Sequence, residues 1–211
     1  MAFKTLTTLL SFVALASAHF TIEYPTWRGD SFQGNRSQWT FPCAGVPETR
    51  DLSNRTQWPP TGGSIRLHVS HHWALTYVNL GLNTNVSSFN ISLVTKFNQT
   101  GNGTFCLKET GQAALAEGLA AAGLDAASVD GMPASLQVIQ IASTGASLFN
   151  CADIMFNSSA ALLPDSECSN STGVSGIAIQ NTDEGAATQL TPALAGIIVV
   201  AGVAAVVTAF M

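Results

Sequence analysis

The sequence predicts an all-β protein, an immunoglobulin-like antiparallel β-sandwich with long disulfide-tethered loops and one short helix. Three observations carry this expectation. Short runs of alternating apolar and polar residues recur through the middle of the chain. Clusters of Gly, Pro, Asn and Ser separate those runs at the spacing of turns. Four cysteines, an even number, fall in the same central region and none elsewhere.

The first strand is expected over residues 19–24, where Phe20, Ile22 and Tyr24 alternate with His19, Thr21 and Glu23 before Pro25 ends the pattern. Residues 30–61 read as a long tethered loop, because Phe32, Trp39, Phe41 and Trp58 follow no period among many turn formers. Ile65, Leu67 and Val69 then share one face of a strand over 64–70, with Arg66 and His68 on the other. Strands over 73–82 and 89–97 continue an antiparallel meander. Residues 112–122, dominated by Ala, Leu and Glu, predict the single helix. Strands return over 134–142 and 147–156; in the former, Leu136, Val138 and Gln140 compete with Gln137, Ile139 and Ile141 for the inner face.

Both ends of the chain read as processing signals. Lys4, the apolar run 6–15 and the small residues Ala16, Ser17 and Ala18 form a secretory leader over 1–18, whose removal leaves His19 first. Residues 193–211 are uncharged and apolar with no Lys or Arg behind them, unlike a spanning helix with a cytoplasmic anchor. Preceded by small residues and a short polar spacer, this tail reads as a glycosylphosphatidylinositol signal, with attachment at Gly185 or, alternatively, Asn181. The folded domain is therefore expected over 19–157, followed by a Ser-, Ala- and Gly-rich stalk over 158–192, whose first part a disulfide through Cys168 would tie back to the domain. The expected location is the extracellular face of the plasma membrane, extending to the cell wall.

Eight Asn-x-Ser/Thr sequons, at Asn35, Asn54, Asn85, Asn90, Asn98, Asn102, Asn157 and Asn170, agree with passage through the secretory pathway. On that route Cys43, Cys106, Cys151 and Cys168 are expected as two disulfides, with three pairings open. No Cys-x-x-Cys spacing supports zinc instead. A net charge of −5 without a basic cluster argues against nucleic acid as a partner. No Gly-x-Ser-x-Gly, Walker or dinucleotide motif points to a hydrolase, nucleotide enzyme or dehydrogenase.

The distinctive chemistry lies at the processed terminus. A terminal histidine carries an α-amine as well as an imidazole, and the two nitrogens can close a chelate ring on one metal ion. A third nitrogen from another histidine completes a T-shaped set that suits Cu(II) better than tetrahedral zinc. The other histidines are His68, His71 and His72. Continuing the Ile65, Leu67, Val69 face reaches His71; a bulge would substitute His72, and His68 reads as a surface imidazole.

The segment from His19 to Pro25, with Arg28-Gly29, Pro42-Cys43-Ala44-Gly45, Arg55, Trp58-Pro59, Gly62-Gly63, Ser70-His71, Gly103-Thr104-Phe105-Cys106 and Asn150-Cys151-Ala152-Asp153-Ile154, resembles the copper-binding, lytic-polysaccharide-monooxygenase-like family of fungi, which includes a cell-surface copper-acquisition factor. The resemblance covers most of 19–156. It implies an immunoglobulin-like sandwich, usually anchored through a glycolipid, that holds one Cu(II) ion through His19, His71 and Asp153. An anionic oxygen on the metal favours Cu(II) and fills a position dioxygen would need.

The expected function is copper capture and support of uptake by a monomer, with copper-uptake machinery at the plasma membrane as partner and no redox catalysis, although weak oxidative activity stays compatible with such a site. The alternative is a lytic polysaccharide monooxygenase acting on cell-wall or plant polysaccharide, using Trp27, Trp39, Trp58 or Trp73 to stack sugars. A second alternative is a non-catalytic wall glycoprotein.

Overall fold

The computed structural model describes residues 19–179. The leader, Asn181, Gly185 and the apolar tail lie outside the described residues.

Alternation builds the first layer. In β3 (Ile65–Val69) Ile65, Leu67 and Val69 are buried while His68 is exposed, and β1 (Phe20–Tyr24) buries Phe20 and Ile22 alongside. With β6 (Gly103–Leu107) they form a three-stranded sheet in the order β1-β3-β6, all neighbours antiparallel.

The second layer comprises β2 (Thr56–Trp58), β4 (Trp73–Leu82), β5 (Ile91–Thr100), β7 (Pro133–Ala142), β8 (Ser147–Phe156) and β9 (Ser175–Ala178), in the order β2-β8-β7-β4-β5-β9. Its pairs are antiparallel except β2 with β8, which is parallel. That departs from the uniformly antiparallel sandwich expected, because β2 joins the edge from the long loop rather than through a hairpin. Phe20, Leu67 and Val69 from one sheet and Val78, Leu80, Leu136, Val138 and Ile154 from the other belong to one core. The protein is thus an all-β sandwich. On β7, Leu136, Val138 and Gln140 face inward, and Ile139 and Ile141 are only half-buried.

The helix α1 (Gln112–Ala121) buries Leu115 and Leu119, one turn apart, against the core. Gly118 lets it approach β5: a Cβ there would lie 2.5 Å from Ile91 Cγ2. The long loop is fastened by Cys43–Cys151, and the second disulfide is Cys106–Cys168. Of the loop aromatics, Trp58 is fully buried and donates from Nε1 to Ser64 O at 3.1 Å, while Phe32, Trp39 and Phe41 stay exposed.

The stalk expected from residue 158 begins later than the sequence implied. Residues 158–178 pack back onto the domain, and the compact body closes at Ala178. Cys168 is tied to β6, Asn170 Oδ1 accepts from Cys106 N at 2.8 Å, and Ser171 Oγ accepts from Thr104 N at 2.9 Å, which caps the open edge of β6. Val174 is buried, and β9 pairs with β5. Low apolar content misled the expectation, since this segment is held by a disulfide and backbone pairing instead of a core of its own. Among the described residues, no helix is long and apolar enough to cross a membrane.

Candidate metal centre

His19 stands at the start of β1, and the backbone around it is fixed on several sides. Its carbonyl accepts from Ser70 N at 3.0 Å and Ser70 Oγ at 2.5 Å. The next residue, Phe20, donates its N–H to Gln38 Oε1 at 3.3 Å, and its carbonyl accepts from Gln38 Nε2 at 2.7 Å and Asn150 Nδ2 at 2.8 Å. Both amides are buried, and Asn150 in turn accepts from Trp27 Nε1 at 3.1 Å. A buried carbonyl with satisfied partners holds its chain segment in one place. The His19 ring meets Phe32 with centroids 5.2 Å apart. Ser70, Gln38 and Asn150 carry no sequence signal for this task, because their partners are main-chain groups distant along the chain.

His71 lies two residues beyond the end of β3 and is 7% exposed, continuing the buried face of Ile65, Leu67 and Val69. Its pKa is lowered, first by burial and further by the neighbouring His19 and His72 charges; the Gln99 side chain and the His19 main chain act in the opposite direction. The imidazole is therefore neutral at pH 7, the form that ligates metals. Neither ring nitrogen makes a hydrogen bond of good geometry among the described residues. His72 and His68 are exposed, and His72 contributes its carbonyl to Gly101 N at 2.9 Å. His71 follows Ser70, whose N–H and hydroxyl hold the His19 carbonyl, so the end of β3 returns to the start of β1 at this point.

Asp153 is placed differently from the ligand role that the resemblance implied. Along β8, Leu148, Ala152, Ile154 and Phe156 belong to the core, so Cys151 and Asp153 point to the opposite face, beneath the long loop. There Arg28 grips the carboxylate with Nε 3.1 Å from both oxygens and Nη2 2.5 Å from Oδ1. Ser135 Oγ donates to Oδ1 at 2.6 Å and Thr49 N to Oδ2 at 2.8 Å. Burial alone would raise the carboxyl pKa, but Arg28, Ser135 and Thr49 outweigh it and the value is lowered. Among the described residues no three His, Cys, Asp or Glu side chains gather as a metal-binding group. The carboxylate is already saturated with donors and does not join the histidine pair.

The donors present still fit copper. His71 has buried nitrogens with no hydrogen-bond partner among the described residues, and it follows Ser70, which holds the His19 carbonyl. The α-amine of a processed His19 would supply a third nitrogen.

Residues 17–173 match the family model described as copper acquisition factor BIM1-like. The chain belongs to this family. The lytic polysaccharide monooxygenase-like protein ham-7 of Neurospora crassa is 35% identical, with 82% of this chain and 80% of that protein covered. The lytic polysaccharide monooxygenase-like proteins X325 of Aspergillus fumigatus and Hypocrea jecorina are each 32% identical, covering 67% and 77% of this chain and 67% and 75% of theirs. The family's description makes its function copper-related.

Proposed function

We propose that this protein captures one Cu(II) ion outside the cell through a histidine-brace-like site and supports its uptake, without redox catalysis. The ion is held by the amine and imidazole of a processed His19 and by His71. The observation that carries this is the buried His71 ring, whose nitrogens have no hydrogen-bond partner among the described residues, next along the chain to Ser70, which holds the His19 carbonyl. A family described as copper acquisition factors supports capture over catalysis. With Asp153 engaged by Arg28, capture rests on the two histidines and not on a carboxylate. The two disulfides agree with an oxidising secretory route. A glycolipid at Gly185 or Asn181 would then hold the domain at the outer membrane face, where copper-uptake machinery is the receiving partner.

A second reading, oxidative cleavage of polysaccharide, is favoured by one feature: Phe32, Trp39 and Phe41 expose their rings on one loop, and Phe32 touches His19. Electron paramagnetic resonance of the Cu(II)-loaded domain beginning at His19 tests the site. Three nitrogen couplings are expected, reduced in His19→Ala and His71→Ala, kept in His72→Ala and Asp153→Asn, and lost when one residue is added ahead of His19. Copper binding that ignores that extension would sink the proposal. Release of oxidised oligosaccharides by the copper-loaded protein with a reductant would favour the second reading.

A further inference from the structure

Among the described residues β6 is an edge strand, with β3 on one side and no strand on the other. An edge offers its outward main-chain groups to other chains, so whatever covers it decides whether the sheet stays closed. On β6 the cover comes from two side chains and one amide: Asn170 Oδ1 accepts from Cys106 N at 2.8 Å, Ser171 Oγ accepts from Thr104 N at 2.9 Å, and Ser171 N donates to Thr104 O at 2.9 Å. Two fastenings hold the segment in this position, the Cys106–Cys168 disulfide and Arg66 Nη1, which donates to Glu167 O at 2.7 Å. Asn170, Ser171 and Thr172 are also one of the eight sequons, so the motif that caps the edge is a motif for N-glycosylation.

The Asn170 amide divides between these two tasks. Its oxygen is pinned by Cys106 N, while its nitrogen donates to no group among the described residues and the residue is exposed. At Asn54 and Asn157, by contrast, Nδ2 donates to Asp51 Oδ2 at 3.3 Å and to Gln57 Oε1 at 3.1 Å. An N-glycan is attached through Nδ2 and leaves Oδ1 an acceptor, so modification of Asn170 keeps every bond that caps β6. Because the amide is planar, a fixed Oδ1 also fixes the direction in which a sugar on Nδ2 departs. Beside it lies an open groove lined by Glu23, Arg66, Thr104, Glu167, Asn170 and Ser171, in which Glu23 and Arg66 pair at 3.0 Å. Carboxylate, guanidinium and hydroxyl groups hydrogen-bond the hydroxyls and acetamido group of an amino sugar.

We propose that Asn170 carries an N-linked glycan whose first N-acetylglucosamine lies in this groove and shuts the β6 edge to other chains. Transfer joins Nδ2 to the anomeric carbon of a lipid-linked oligosaccharide, breaks that carbon's bond to the lipid pyrophosphate, and releases one amide proton with the pyrophosphate as leaving group. It acts on the exported chain before folding, and the folded geometry then decides where the sugar rests. The inference goes beyond the copper reading and needs export alone, so failure of the metal site leaves it intact.

The test uses the full chain secreted from a fungal host, whose high-mannose glycans endoglycosidase H trims to the first sugar. Peptide mass spectrometry is expected to find Asn170 occupied. In the trimmed protein, nuclear Overhauser contacts are expected from the acetamido methyl of that sugar to Thr104 or Arg66, and analytical ultracentrifugation is expected to show a monomer. Thr172→Ala keeps Asn170 and its bond to Cys106 but abolishes the sequon; Asn170→Asp keeps the acceptor and cannot be glycosylated. Both positions are exposed, and both variants are expected to shift from monomer to concentration-dependent oligomers. An unmodified Asn170 in the secreted wild type overturns the proposal. So does a first sugar without contact to the groove residues, or a Thr172→Ala protein that stays monomeric at every concentration tested.

Discussion

Asp153 and His71 illustrate how far single residues were legible. Extending the Ile65, Leu67 and Val69 face two residues past β3 reached His71, with His72 left as the alternative, and in the structure His71 is buried and His72 exposed. On β8 both faces are covered, one by the core and one by the long loop, so alternation is masked and Asp153 gave no sign of which side it serves. Its partner Arg28 lies 125 residues away along the chain, beyond any local signal. Both groups are almost wholly buried, so Asp153→Asn leaves the Arg28 charge uncompensated. We expect a loss of about 3–5 kcal/mol in denaturant unfolding, with copper nitrogen couplings unchanged in the folded fraction. The two titrations have separate windows. The lowered Asp153 pKa contributes stability that is complete above the ordinary value of 3.8 and is lost as pH falls through the lowered value. His71, lowered from 6.5, favours the fold when neutral. Stability of the copper-free domain is therefore expected to decline as pH falls below about 6.5, because the unfolded chain takes up the proton first. Urea unfolding between pH 7.5 and 5 should show this decline in the wild type and a smaller one in His71→Leu.

Elements with strong periodicity were the legible ones: β3, β4, β7, β8 and the helix lie within a residue or two of where alternation and propensity put them. The misses were β2, inside the stretch read as loop, β6, and β9, the last being four residues of the sequence Ser-Gly-Ile-Ala with every side chain exposed. Nothing in such a stretch distinguishes a strand from a linker, because its contribution is main-chain pairing and close approach. Gly176 shows the approach: a Cβ would lie 2.7 Å from Phe105 Cζ and 3.1 Å from Phe97 Cδ2, two rings stacked with centroids 5.2 Å apart. Gly176→Ala must push this pair aside and is expected to cost about 1–3 kcal/mol, read as a lower Tm. Ile177→Ala, on an exposed neighbour in the same strand, should leave Tm nearly unchanged. Equal effects of the two would mean that β9 is not seated on the sheet.

At the scale of the whole molecule, the resemblance located the family and the sandwich, but composition set the domain boundary about twenty residues too early. A segment poor in large apolar residues reads as unable to fold, which holds for a segment alone and fails for one fastened to a finished domain. Here the fastenings are Cys106–Cys168, the capped edge of β6, buried Val174 and β9. They also bear on the histidine pair, because Gly101 packs against Gly173 while its N–H holds the His72 carbonyl. A chain of residues 19–178 is therefore expected to unfold cooperatively and bind copper as the full secreted domain does. A chain of 19–157 loses the disulfide, typically worth about 2–4 kcal/mol, and leaves Cys106 unpaired and the β6 edge open. It should melt at lower temperature, expose the β6 amides to hydrogen exchange and self-associate. Cys106→Ser with Cys168→Ser in the longer chain separates the two contributions: it removes the cross-link but keeps the strand, and its stability should fall between the others. If 19–157 matches 19–178 in Tm and in copper affinity, the C-terminal segment is the passive stalk its composition described.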